Sequence, residues 1–223
     1  MLLAVDTSTA QVGLAVYDGP QGQVIGEYAW RSSQRHTVEL APAIYELLAR
    51  CGLTMDDIRA LGVALGPGSF TSLRVGLSLV KGFALARSLP LIGIPTLDIL
   101  AAAQPLSRFP LRVAIQAGRG RLAAGWYKRS KGSWKAKGPT RMVTAEELFE
   151  EVKSPVNLCA ELTADERQML AKNAQIRLAS PAQSVRRPAL LAERAWVRWQ
   201  AGDVDDRATL APIYLHVAEP IPA

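Results

Sequence analysis

Two stretches of this chain repeat one another in outline. LLAVDTSTAQVGLAV, Leu2 to Val16, is an apolar run, a turn of small polar residues and a second apolar run; LRVAIQAGRGRLAAGWYK, Leu111 to Lys128, gives the same strand, turn and strand roughly one hundred residues later. A repeat at that distance in a chain of 223 residues points to two related lobes, each opened by its own hairpin. Pro105 and Pro110 bracket the expected boundary, giving a first lobe at 1–104 and a second at 105–223 that carries the last helix and an extended tail.

The elements between the repeats are mixed α/β. Gly22 to Arg31 reads as a third strand, and TVELAPAIYELLARCG from Thr37 places Leu40, Ile44, Leu47 and Leu48 at helical spacing, with Pro42 in or near the first turn and Gly52 at the end. A buried strand in IRALGVALG, a helix from Thr71 to Arg87 ended by Pro90, a strand LIGIP and a helix TLDILAAAQ follow. In the second half, Thr144 and Glu147 make a capping box before AEELFEEV. Val156 to Ala160 and Ile176 to Ala179 flank a helix beginning near Thr163, and Pro188 opens PALLAERAWVRWQAG.

The turn GPGSFT before the second helix suggests a phosphate cradle, but both familiar versions fail. No Gly-Lys-Ser/Thr follows for a Walker loop, and Thr71 stands where a dinucleotide fingerprint needs its third glycine. Metal and nucleophile chemistry fare no better. The histidines are His36 and His216, and Leu40 occupies the position four after His36, so no helical zinc pair forms. Cys51 and Cys159 lack a disulfide framework, and no GxSxG elbow is present. With no basic leader and no window of about 20 apolar residues, the expectation is a soluble cytoplasmic protein.

Three features have both a functional and a bland reading. The net charge of +6 concentrates in Gly118 to Arg141, where Arg119, Arg121, Lys128, Arg129, Lys131, Lys135, Lys137 and Arg141 interleave with Trp126, Tyr127 and Trp134 without an acid. This is either a nucleic-acid footprint or a solvated hairpin with inward aromatics. On the helix after GPGSFT, Ser72 and Gly76 lie four apart, as do Ser78, Gly82 and Ala86. Interior glycine costs about 1 kcal/mol in a helix, so something approaches that backbone, either a partner or the chain's own sheet. In DTST, Asp6, Thr7 and Ser8 either line a phosphate or satisfy a tight turn.

The opening LLAVDTSTAQVGLAV, the block GPGSFTSLRVGLSLVKGFALA with PLIGIPTLDILA behind it, and the tail PIYL resemble the bacterial tRNA threonylcarbamoyladenosine biosynthesis protein family TsaB, also called YeaZ. The likeness is specific over most of the first hundred residues and thin from Arg119 to Pro181. It implies the actin-like ATPase fold of two ribonuclease-H-like lobes. It also implies a non-catalytic partner of a paralogous transferase, TsaD, which with an ATPase, TsaE, attaches threonylcarbamoyl to the adenosine beside the anticodon of ANN-reading tRNAs. By this resemblance the partner interface falls on Ser72, Val75, Gly76, Leu79 and Phe83, and the turn Gly66, Gly68, Ser69, Phe70 and Thr71 aims that surface. Pairing with itself in isolation, and tRNA contact through Lys128, Arg129, Lys131, Lys135 and Lys137, are further implications.

Departures from the family pattern bear on cofactors. ATP turnover in this fold uses carboxylates from both lobes to hold Mg²⁺. Asp6 supplies one, with Thr7 and Ser8 as a residual phosphate loop. Where the family reads Ile-Asp-Ala-Arg, this chain reads Ile115, Gln116, Ala117, Gly118, so the second acid is missing; Ser72 replaces a glycine and His216 an arginine. No cofactor is therefore expected on the chain alone, and ATP only within a complex. The rival is a small ATP-dependent kinase or ATPase of the same fold; a third reading is an RNA-binding module.

Overall fold

Each opening hairpin becomes the centre of a sheet. The computed structural model describes residues 1–33, 35–118 and 120–215. In the first half, β1 (Leu2–Asp6), β2 (Gln11–Asp18) and β3 (Gln23–Arg31) form an antiparallel meander, while β4 (Ala60–Gly66) and β5 (Leu91–Pro95) add in parallel on the other side of β1. The order is β3-β2-β1-β4-β5. In the second half, β6 (Leu111–Gln116), β7 (Leu122–Ser130) and β8 (Ser133–Ala136) repeat the meander, and β10 (Val156–Ala160) and β11 (Ile176–Leu178) repeat the parallel pair, giving β8-β7-β6-β10-β11. A short strand β9 (Arg141–Val143) pairs with the start of β7, beyond the reach of β8. The same five-strand order occurs twice, and the chain has the actin-like fold of two ribonuclease-H-like lobes.

Helices cover the sheets by their apolar stripes. α1 (His36–Arg50) and α2 (Phe70–Ala86) lie on one face of the first sheet, burying Leu40, Ile44, Leu47, Leu77, Val80 and Ala84 against Leu3, Val5, Leu14 and Val63. Each fully buried leucine or valine contributes about 1.5–3 kcal/mol. Helix α1 starts at His36, whose Nε2 meets the carbonyl of Thr9 at 3.1 Å, one residue before the expected Thr37, and Pro42 lies inside the helix, past its first turn. Capping boxes open α4 (Ala145–Glu151) at Thr144 and α5 (Ala164–Leu170) at Thr163. Both helices cover one face of the second sheet.

The last helix, α6 (Pro188–Gln200), follows the second sheet in sequence but returns to the first. The opposite face of that sheet explains why. Ala4, Ala15 and Ala60 point there, and a Cβ on Gly62 would stand 3.0 Å from that of Ala195, so small side chains let α6 lie close. Order along the chain alone groups this helix with the second lobe; packing assigns it to the first. α3 (Thr96–Ala102) is wedged between the lobes, with Ile99 turned to the first core and Leu97 and Leu100 to the second. In the last turn of α6, Arg198 donates to the carbonyl of Gly93 at 2.6 Å and to Asp205 at 3.1 Å. The segment beyond then runs back beside α2, where Lys81 and Arg207 hold it through Ala208 and Ala84 carbonyls.

Candidate functional site

The turn between β1 and β2 is buried and its polar groups are spent on the chain itself. Asp6 Oδ1 accepts from the Ser8 amide at 2.8 Å, the Thr7 hydroxyl donates to the Ser72 carbonyl at 2.7 Å, and Ser8 Oγ meets Thr96 Oγ1 at 2.7 Å. The Ser8 carbonyl accepts from the Ser69 amide at 2.7 Å. The glycine-rich turn is therefore seated on the first turn. A Cβ on Gly68 would stand 2.1 Å from the Ser8 carbonyl oxygen, and one on Gly76 would stand 2.2 Å from Thr7 Oγ1. Gly66 adopts φ +104°, a conformation favouring glycine, and its amide donates to Thr96 Oγ1 at 2.9 Å.

These contacts correct the expected role of Ser72 and Gly76. Both are buried, and the close approach that Gly76 permits is that of Thr7, within the chain. The second small-residue stripe, Ser78, Gly82 and Ala86, is the exposed one, and nothing lies within 4 Å of a Cβ placed on Gly82. Helical periodicity could not choose between the two stripes, because each recurs every four residues and only the position of Thr7 decides which faces inward.

Exposed apolar side chains stand on both α1 and α2. On α1, Val38 and Tyr45 are 70% and 58% exposed; on α2, Phe70 and Leu85 are 52% and 75% exposed. A groove of about 600 Å³ runs between the helices, lined by Leu40, Ala41, Phe70, Arg74, Val75 and Leu79. Val75, Leu79 and Phe83 are half-buried, Thr71 is exposed, and Ser69 caps α2 through the Ser72 amide. The Arg74 guanidinium stacks on Phe70 at 3.5 Å, and its Nε donates to the Tyr214 hydroxyl at 2.9 Å. Val38, Tyr45 and Leu85 were not singled out by sequence. Their signal was present, since Val38, Pro42, Tyr45 and Ala49 mark a second apolar stripe on α1 opposite its core face.

The cleft between the lobes has a different character. A space of about 480 Å³ is lined by Thr9, Arg31, Gln116, Glu161, Thr163 and Arg167 among others. At its floor Arg186, 1% exposed, places Nε 2.7 Å from Asp6 Oδ2, pairs through Nη1 with Glu161, and donates through Nη2 to Thr9 Oγ1 and the Gln11 carbonyl. Gln116 donates to the Glu161 carbonyl at 3.3 Å and to Glu166 at 2.8 Å. A magnesium–nucleotide, which this fold implies, needs free carboxylate oxygens around the ion. Here one oxygen of Asp6 is held by Ser8 and the other by a guanidinium, and Gln116 offers an amide. These residues do not fit that group.

Other candidates resolve similarly. Cys159 is buried, which pushes its thiol up to about 11 and leaves it protonated at neutral pH. Among the described residues no group of three His, Cys, Asp or Glu side chains is placed to hold a metal. His216 and Arg119 lie outside the described residues.

In the basic segment the aromatics and the cations part company. Trp134 is buried and donates to the Gln104 carbonyl at 3.1 Å, and the Tyr127 hydroxyl donates to Asp98 at 2.7 Å. Burial, together with that carboxylate, raises the Tyr127 pKa. Neither ring is available for base stacking. Lys128, Arg129, Lys131, Lys135 and Lys137 are exposed, and among the described residues none of the five is paired with a carboxylate. Lys128 stands directly opposite Lys135 in the ladder, a like-charge pair that costs stability unless an anion sits over it.

Comparison with known proteins places this geometry. The family model described as TsaD, tRNA N6-adenosine threonylcarbamoyltransferase, matches residues 24–187. Over 98% of its length the chain is 30% identical to the tRNA threonylcarbamoyladenosine biosynthesis protein TsaB of Bacillus subtilis (strain 168), covering 95% of that protein. It is 33% identical to TsaB of Escherichia coli (strain K12) over 60% of the chain and 58% of that protein. Among solved structures, YeaZ from Pseudomonas aeruginosa matches with a TM-score of 0.76 at 22% identity, over 96% of this chain and 99% of that one, a likeness of fold.

Proposed function

This chain belongs to the TsaB, or YeaZ, family of tRNA threonylcarbamoyladenosine biosynthesis proteins, and on that premise we propose that it is the non-catalytic scaffold of a tRNA-modifying complex in the cytoplasm. It pairs with a TsaD-type transferase paralogue and holds it in its active shape, with a TsaE-type ATPase as the third protein. The observation that carries this reading is the set of apolar side chains exposed on α1 and α2, Val38, Tyr45, Phe70 and Leu85, together with the open space over Gly82. Large apolar side chains left exposed on neighbouring helices are a mark of a protein interface. No described helix is long and apolar enough to cross a membrane.

Reconstitution tests the proposal. Mixed with a TsaD-type transferase, the chain should run as a stable heterodimer by light scattering, and threonylcarbamoylation of tRNA should fall to background when it is omitted. The chain alone should turn over ATP negligibly. Two outcomes count against the scaffold role: full modification without this chain, or magnesium-dependent ATP hydrolysis by the isolated protein that Asp6→Asn abolishes.

A second contribution, contact with tRNA by the complex, is favoured by the opposed Lys128 and Lys135. Exchanging both for glutamate should leave the melting temperature within about 2 °C, since exposed substitutions rarely matter. The slope of log affinity for tRNA against log salt should flatten by about 1.5, two phosphate contacts' worth. An unchanged slope in a filter-binding titration returns the hairpin to ordinary surface.

A further inference from the structure

The two carboxylates at the floor of the inter-lobe cleft come from different lobes: Asp6 ends β1 of the first sheet, and Glu161 follows β10 of the second. Arg186 bridges them from the connector that carries the chain back to α6, 180 residues from Asp6. Its side chain is 1% exposed, Asp6 2% and Glu161 14%. A charge so enclosed is stable only if its partners surround it, and here they do. Nε, Nη1 and Nη2 all donate, and Gln11 clasps the Arg186 backbone, its Nε2 donating to the carbonyl at 3.2 Å while its Oε1 accepts from the amide at 3.4 Å.

We propose that Arg186 is the resident cation of this cleft: it occupies the place between the two lobes' carboxylates that a divalent ion would otherwise take, and so fixes the lobes to each other without a metal or nucleotide. The argument stands apart from the pairing face on α1 and α2. A guanidinium between two carboxylates neutralises one of two negative charges and spans both with directed hydrogen bonds. It is part of the chain, so the joint needs no ligand to bind before it forms. Gln116 fits the same arrangement. An acid there would add a carboxylate near those of Glu161 and Glu166, whereas the amide donates to the Glu161 backbone carbonyl and to the Glu166 carboxylate. The arrangement makes the lobe angle a fixed property of the fold, where a ligand-dependent joint would let it vary.

Removing the side-chain cation should expose a site that takes one from solution. In the Arg186→Met variant, Asp6 and Glu161 face each other unpaired, a donor set suited to Mn²⁺. Titrated with Mn²⁺ alone and followed by the free-ion electron paramagnetic resonance signal, the wild type should bind none at this cleft. Arg186→Met should bind one ion with Kd of the order of 10⁻⁴ M, as weak oxygen sites do, and gain melting temperature with added Mn²⁺. Arg186→Met with Asp6→Asn should lose that binding. A folded Arg186→Met that takes up no Mn²⁺ overturns the proposal, as does a wild type whose Mn²⁺ binding depends on Asp6. Should Arg186→Met not fold, Glu161→Gln reads the same joint, because it keeps the Arg186–Asp6 pair. Amide hydrogen exchange at residues 9–11 and 161–167 should then rise by roughly tenfold as that edge opens; unchanged exchange overturns the proposal equally.

Discussion

Replacing Gly76 by arginine is expected to abolish folding at 37 °C, and even Gly76→Ala should melt early. Periodicity argues for the opposite, since alanine in a helix interior is worth about 1 kcal/mol over glycine. The decisive number is the 2.2 Å that would separate a new Cβ from Thr7 Oγ1. Neither side can give way cheaply. Thr7 is 1% exposed and its hydroxyl donates to the Ser72 carbonyl one turn earlier on the same helix. Overpacking costs about 1–3 kcal/mol, and losing a buried hydrogen bond costs about 1–3 kcal/mol more. After the propensity gain of about 1 kcal/mol, Gly76→Ala should lose about 1–5 kcal/mol, or roughly 2–20 °C in a domain of this size. Thermal melting by circular dichroism measures it directly. A Gly76→Ala protein melting at or above the wild type would show that Thr7 moves aside and that the turn is not fixed as described.

The contrast between local and distant contacts decides what could be read in advance. The capping box at Thr144, Pro188 at the start of α6 and the two apolar runs that flank the first turn are short-range signals, and each forms the element expected of it. The duplicated strand order followed from one repeat of strand, turn and strand. Gly76 and Arg186 have no such signal. One is defined by a residue 65 positions from its neighbour Ser72, the other by a carboxylate 180 positions away. In sequence, Arg186 and Arg187 look like an ordinary basic pair before a helix; only the first is buried, and Arg187 pairs at the surface with Glu27. The missing acid at Gln116 was legible, but the nearness of Glu161 was not, because Gln116 ends β6 and Glu161 follows β10, and the two meet only when those strands pair. The small side chains Ala4, Ala15 and Gly62 carried the trace of a closely packed helix without naming it, and α6 is that helix.

The same comparison of glycines gives the second large effect, on assembly and not on stability. Gly82 occupies the outer stripe of α2, six residues after the buried Gly76, with Ser78 one turn before it, Leu85 beside it and open space where its side chain would be. Gly82→Arg should fold normally and melt at or slightly above the wild type, by up to about 1 kcal/mol, because an exposed helical glycine is replaced by a better helix former. A partner helix resting on that backbone must then retreat by the length of a charged side chain. Loss of a central contact typically costs upwards of about 2 kcal/mol, and a charge forced into an apolar interface costs more, so pairing with the transferase should weaken by at least about a hundredfold. Threonylcarbamoylation should fall with it and recover partly at high subunit concentration, as a binding defect does and a folding defect does not. Tyr45→Arg on α1 should behave alike if the partner also rests on α1, where Tyr45 is exposed. Titration calorimetry with each variant separates the cases. If Gly82→Arg binds with wild-type affinity while Tyr45→Arg does not, the partner rests on α1 alone; if both bind normally, the exposed face of these helices is not the pairing surface and the scaffold reading loses its principal support.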